Sequence, residues 1–201
     1  MINLDKDDGF WVATINRPDK ANSLTEDMLV ELARIAEAAH EKARVLVITG
    51  EGKVFSAGAD LEAARAGLAT SAVWERLSSA IAGFPGLSIA ALNGTVAGGA
   101  MGMVLACDLR IAARGAKAFY PVMKLGFLPQ PSDPGRLTRL VGPSRAKMIL
   151  MGGQKIVSDD AFAFGLVDRV CDAPVEEARA IAADVLAARA DHVTAIKGMI
   201  C

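Results

Sequence analysis

An α/β fold with a mostly parallel sheet is predicted by two features of this 201-residue chain. Apolar, β-branched runs alternate with stretches of helical periodicity along its length, and small-residue turns separate them. Such alternation builds parallel strands joined by right-handed helical crossovers. The length suits one domain with a sizeable core. Hydrophobic residues make up 52% and charged residues 22% of the chain, a globular balance far from that of a disordered chain.

The elements read in order. Phe10 to Ile15 is a strand, closed by Asn16-Arg17-Pro18-Asp19. Ser23 and Glu26 have the spacing of a capping box. Leu24, Met28, Leu29, Leu32, Ile35, Ala36 and Ala39 then repeat as one helical face. Val45 to Thr49 is a continuous apolar run, as in a strand covered on both faces. Asp60 to Gly67 and Ala72 to Ala82 read as helices, Leu87 to Leu92 as a strand, Gly99 to Cys107 as a helix and Leu109 to Ala113 as a strand. A helix from Arg136 to Met151, a strand from Val167 to Val170 and an Ala-rich helix from Pro174 to Ala190 complete the chain.

Composition also excludes. A net charge of −1 gives no general attraction to nucleic acid or anionic membrane. Leu77 to Cys107 carries no charge and is long enough to span a bilayer. Pro85-Gly86, Asn93-Gly94 and Gly98-Gly99 cut it into helix, strand and helix, so it is expected inside the protein. Cys107, Cys171 and Cys201 form neither a disulfide framework nor a metal pattern, which fits a reducing compartment; no metal site is expected. The acidic start, Asp5 to Asp8 with only Lys6 among them, lacks the order of a signal peptide, and the expected location is cytoplasmic.

Two turns carry the chemistry. Phe55-Ser56-Ala57-Gly58-Ala59-Asp60-Leu61 and Asn93-Gly94-Thr95-Val96-Ala97-Gly98-Gly99 each follow an apolar strand and leave backbone N–H groups uncrowded. A pair of such amides makes an oxyanion hole, useful where a thioester carbonyl becomes an enolate.

These residues resemble the crotonase superfamily of enoyl-CoA hydratases and isomerases over nearly the whole chain. The resemblance is carried by Ile15 to Asn22, Thr49 to Leu61, Asn93 to Gly99, Ala106 to Ala112, Lys124-Leu125-Gly126, Arg136-Leu137, Val141-Gly142 and Ala163 to Val167. It implies a spiral of repeated ββα units with a helical C-terminal region, residues 1–172 forming the spiral core and 173–201 the helical segment of a single domain. It also implies a homotrimer or dimer of trimers and an acyl-CoA substrate of fatty acid metabolism, with no separate cofactor. The thioester oxygen would meet the N–H groups of Ala57 and Gly99. Lys20 and Ala21 would lie near the CoA phosphates or adenine, and Gly58, Ala59, Asp60 and Leu61 would complete the substrate contacts. Relatives continue past the position of Lys197, so a more open acyl pocket, or one covered by a neighbouring subunit, is expected. Lys197 itself is a candidate for a CoA phosphate.

The sequence departs from the family where protons move. Gly102 and Val122 stand where hydratases carry two glutamates, and Gln130 stands where some isomerases carry a carboxylate. None of the three transfers a proton: the lost glutamates speak against ordinary hydration and Gln130 against the usual isomerase carboxylate, leaving isomerase- or decarboxylase-type or weak hydratase chemistry through Asp133 or the substrate itself. Asp133, in Pro129-Gln130-Pro131-Ser132-Asp133-Pro134, is the candidate acid or base, against its alternative as N-cap of the following helix. Asp60 reads as a helix cap, Tyr120 as packing against its alternative as a proton donor to substrate, and His40 and His192 as surface residues. A catalytically degenerate acyl-CoA binder or assembly subunit is the rival function. A Clp-type peptidase is weaker, because Gly98-Gly99-Ala100-Met101 offers no serine.

Overall fold

The computed structural model describes residues 1–200, so Cys201 lies outside the described residues. The chain runs β1 (Ile2–Asp7), β2 (Phe10–Ile15), α1 (Glu26–Lys42), β3 (Val45–Gly50), β4 (Val54–Ser56), α2 (Leu61–Arg65), α3 (Val73–Ala82), β5 (Leu87–Leu92) and β6 (Thr95–Ala97). It continues with α4 (Ala100–Ala106), β7 (Leu109–Ala113), β8 (Lys117–Phe119), α5 (Val122–Leu125), α6 (Asp133–Leu150), β9 (Ile156–Val157), α7 (Ser158–Phe164) and β10 (Arg169–Cys171). The last helices are α8 (Pro174–Ile181), α9 (Ala183–Ala187) and α10 (Ala190–Ile200).

The strands form two sheets. The larger has the order β1-β2-β3-β5-β7-β10, parallel except for the β1–β2 pair, and the smaller the order β4-β6-β8-β9. Alternation along the large sheet divides its side chains between two cores. Trp11, Ala13, Ile15, Leu46, Ile48, Ala90 and Leu92 face the main core with α1, α3 and α4. Phe10, Val45, Val47, Ile89, Ala91 and Ile111 face the other way and are covered by Ala178 and Ala182 at the end of α8. Burial on both faces explains the unbroken apolar run of β3.

Several boundaries differ from the sequence reading, among them the last strand, which runs Arg169–Cys171 and not Val167 to Val170. Thr25, not Ser23, caps α1, its hydroxyl accepting from the Met28 amide at 3.4 Å. Ser23 and Leu24 stay outside the helix because Leu24 forms a parallel bridge with Ala59. Helix α6 starts earlier than expected and breaks at Gly142, whose φ of 77° precedes the ring of Pro143. The single C-terminal helix expected from Pro174 to Ala190 is instead α8 and α9 followed by α10, with breaks at Ala182 and Ala188-Arg189. The uncharged stretch from Leu77 to Cys107 becomes α3, β5, β6 and α4, and no helix among the described residues is long and apolar enough to cross a membrane.

Candidate active site

Three parallel strands of the small sheet, β4, β6 and β8, end side by side, and their C-terminal turns carry the site. Pockets at the carboxyl ends of parallel strands arise because chain turns there leave amides and side chains free of the ladder. A pocket of about 630 Å³ opens at these ends, lined by Ala57 and Ala59 after β4, Gly98 and Gly99 after β6, and Tyr120 and Val122 after β8. That volume is the size of a cofactor or small-ligand site.

The first two turns are pressed together by glycine. A Cβ on Gly58 would stand 2.8 Å from the Ala97 carbonyl oxygen and 3.4 Å from the Gly99 nitrogen, and its φ is +90°. A side chain there would force the turns apart. Behind Gly99 lies the buried indole of Trp74, only 3.1 Å from where a Cβ would be, and its Nε1 donates to the Leu68 carbonyl at 2.8 Å.

The amides of the first turn have different fates. Ala57 N–H donates to the Ala21 carbonyl at 3.0 Å, Gly58 N–H to Ser56 Oγ at 3.2 Å and Asp60 N–H to the Leu24 carbonyl at 2.8 Å. The Ala59 amide alone in this turn has no acceptor among the described residues, and the Gly99 amide likewise has none. The expectation of a free Ala57 amide is therefore corrected: the turn at Gly58 leaves amide 57 bonded to the Ala21 segment, and amide 59 is the one without an acceptor beside the pocket.

Asn22 holds the scaffold from behind. It is fully buried at φ 54°, accepts from the Arg17 amide, and donates to the carbonyls of Glu51 at 2.9 Å and Val54 at 2.6 Å. Asp60 caps α2 through the amides of Glu62 and Ala63 and pairs with Arg17 at 2.8 Å. The Arg17 hydrogen bond, then the cap, hold its carboxyl below the usual range, so it is a fixed anion. Leu61 and Ala21 lie on the pocket wall, but Lys20 does not. Arg65 and Lys155, which the sequence reading passed over, supply the cations of the wall. Nothing short of the fold brings Lys155 there, since it lies far along the chain. Lys197 is tied elsewhere: its ammonium donates to the carbonyls of Phe84 and Gly86 and pairs with Asp108 at 2.6 Å, fastening α10 to the turn before β5. It is thus not available to a CoA phosphate.

His40 is half-buried against Phe84 and bonds the Ala80 carbonyl at 2.7 Å rather than sitting free on the surface. Cys107 is buried, its thiol pushed up to about 12 by desolvation, which suits packing and not nucleophilic attack.

Asp133 is fully buried, and it does not cap α6, for it is the first residue of that helix and Ser132 precedes it. Its Oδ2 accepts from the Tyr120 hydroxyl at 2.9 Å, and its Oδ1 has no partner among the described residues. Burial pushes its carboxyl up to about 6 against the opposing pull of the Tyr120 hydrogen bond and Arg136; Glu75 adds a small push in the same direction as burial. Val122 and Gln130 lie on the pocket wall, whereas Asp133 is one layer behind Tyr120.

With two strand-end turns meeting over a pocket and two unpaired amides at their junction, this fold and sequence define a crotonase: the chain belongs to the enoyl-CoA hydratase/isomerase family of that superfamily. Residues 5–200 match the family model described as Enoyl-CoA hydratase/isomerase. The chain is similar to the crotonyl-CoA hydratase of Syntrophomonas wolfei, at 37% identity over 177 residues, covering 84% of this chain and 68% of that protein. It is also similar to the short-chain-enoyl-CoA hydratase of Clostridium acetobutylicum, at 34% identity, covering 85% of this chain and 69% of the other. Among solved structures it resembles Pseudomonas aeruginosa DspI, with a TM-score of 0.90 at 33% identity over 99% of this chain and 85% of that one. The enoyl-CoA hydratase of Bacillus anthracis gives a TM-score of 0.91 at 33% identity, over 99% of this chain and 81% of the other.

Proposed function

We propose that this protein binds an acyl-CoA thioester and stabilises its enolate with the paired amides of Ala59 and Gly99. The observation that carries this reading is that these two N–H groups lack acceptors at the junction of the two turns on the pocket wall. Donors fixed before the reaction stabilise charge as it develops on the oxygen, and each is worth about 3 kcal/mol in comparable holes. Arg65 and Lys155 place positive charge on the wall, a match for the phosphates of the coenzyme.

The reaction class follows from what the wall lacks. Its titratable side chains among the described residues are Arg65, Tyr120 and Lys155, with no carboxylate to activate water. Isomerisation or decarboxylation through the enolate therefore fits better than hydration. Assembly as a trimer, in the cytoplasm, completes the reading; the exposed side chains of Met123, Leu125, Phe127, Leu128 and Met151 give such an assembly apolar surface to bury.

Steady-state assays with crotonyl-, 3-enoyl- and malonyl-type CoA esters test the reading. Turnover of a 3-enoyl or malonyl ester exceeding that of crotonyl-CoA is the expected outcome. The carboxylate-free wall favours one rival, a binder without turnover, and calorimetric binding of all three esters with no product from any would establish it instead.

A further inference from the structure

Glycine at position 102, where the family resemblance places a glutamate, does not leave an empty space. A Cβ built on Gly102 would stand 3.0 Å from Asp133 Oδ1 and 3.1 Å from Oδ2, so the Asp133 carboxylate occupies the volume into which a side chain at 102 would project. The two positions come from different elements, α4 and the first turn of α6, which pack against each other. The carboxylate connects to the pocket through one intermediary, Tyr120, which lines the wall and whose hydroxyl donates to Asp133 Oδ2 at 2.9 Å. The phenol oxygen also accepts from the Gln130 amide at 3.4 Å, which fixes its direction from the other side. Tyr120 and Asp133 are both buried, at 3% and 0% exposure, so bulk water does not compete for the hydrogen bond between them, while the place of Tyr120 on the pocket wall lets the relay proton exchange with solvent between turnovers.

We infer that Tyr120 is the catalytic acid and base of this site, and that Asp133 is the positioning residue behind it, taking and returning the phenol proton. The inference rests on the enolate reading above. In the forward step the substrate Cα–H bond breaks and its proton goes to the Tyr120 oxygen. The phenol proton passes to Asp133 Oδ2, and the electron pair left on carbon delocalises onto the thioester oxygen at Ala59 and Gly99. In the return step Asp133 reprotonates Tyr120 and Tyr120 protonates a carbon of the same dienolate or enolate, so no water and no co-reactant is consumed. One relay serving both directions is what a double-bond shift or the quenching of a decarboxylated enolate requires.

The groups facing Asp133 set its pH response. Tyr120 meets it from the turn after β8, Arg136 from its own helix and Glu75 from α3, while α4 brings no charged residue. Glu75 is itself held by the Ser132 hydroxyl. Burial is the largest influence and raises the carboxyl to about 6, close to neutral pH, where a proton acceptor works best.

Deuterium exchange into the α-position of butyryl-CoA, followed by mass spectrometry in heavy water, tests the relay without any other reaction. The wild type is expected to exchange, with a rate that rises through an inflection near 6 and then levels. Y120F should bind butyryl-CoA within about twofold of wild type and exchange at least about 100-fold more slowly, the low end of what a positioned acid–base group contributes. D133N should slow exchange and lose the inflection, which a purely structural aspartate would not control. Exchange by Y120F at the wild-type rate, or an unchanged pH profile in D133N, overturns the relay while leaving the enolate reading intact; D133N decides alone if Y120F does not fold. A wild type that binds butyryl-CoA and exchanges nothing overturns both.

Discussion

Asp133 illustrates how a single buried carboxyl couples stability to chemistry. Its native pKa, about 6, lies above its ordinary value of 3.8, so the folded protein holds this proton more tightly than the unfolded chain does. The contribution is therefore fully favourable below about 4 and is lost as pH rises through about 6. Relative to D133N, the wild type should lose stability between pH 4 and pH 8, by as much as about 3 kcal/mol from the two-unit displacement. Urea titrations of both proteins at the two pH values check this, and a constant difference would contradict it. Gly102→Ala places a methyl against the carboxylate and should cost about 1–3 kcal/mol by overpacking, read from the same titrations. The sequence offered Asp133 as a candidate acid or base but could not separate that from a helix cap, and the burial of its carboxyl against Gly102 and Tyr120 was not visible there. What decides its role is the approach of α4 to α6, a tertiary fact. The same holds for Ala57 and Ala59. The turn sequence identified the right segment, but which amide leaves the ladder depends on the bonding of residues 57 to 60 with Ala21 and Leu24.

Elements were legible where burial and periodicity agree. The strands β2, β5 and β7 fall where their apolar runs begin and end, α3 differs from expectation by one residue at its start, and α4 by one residue at each end. Failures came where local signals compete. Ser23 and Thr25 are both capping residues, and the bridge of Leu24 to Ala59 chooses between them. The segment after Pro174 keeps helical composition throughout but is broken to wrap the sheet. Asn22, between the 3₁₀ turn at Pro18–Lys20 and α1, joins the segment carrying Ala21 to the start of β4 and the turn before it through two side-chain donations, to the carbonyls of Val54 and Glu51, while accepting from the Arg17 amide of its own segment. Asn22→Ala should remove three part-buried hydrogen bonds of a fully buried side chain and strain a left-handed residue, costing about 2–4 kcal/mol in denaturant unfolding. A loss under about 1 kcal/mol would show that Asn22 is not the tie described.

At the scale of the molecule, the large sheet is a platform and the small sheet an instrument. Two opposed cores fix β2, β3, β5 and β7, and the three parallel strands of the small sheet run out from this platform to present their turns together. Helix α10 is held to the platform by Lys197, whose three partners sit on the turn after α3 and on Asp108. Lys197→Met should accelerate amide hydrogen exchange in α10 by tenfold or more while leaving the sheet protected, since one charge-assisted anchor is worth roughly 1.5–3 kcal/mol. Exchange that speeds uniformly would mean that α10 is part of the global unfolding unit. The account as a whole depends on the amides of Ala59 and Gly99 gripping a thioester oxygen, and the most direct measurement is the carbonyl stretch of a bound acyl-CoA labelled with carbon-13 at that carbon. Isotope-edited difference infrared spectroscopy should find the band shifted to lower wavenumber in the complex than in water. A band at or above its position in water, with the ligand bound, would contradict the assignment.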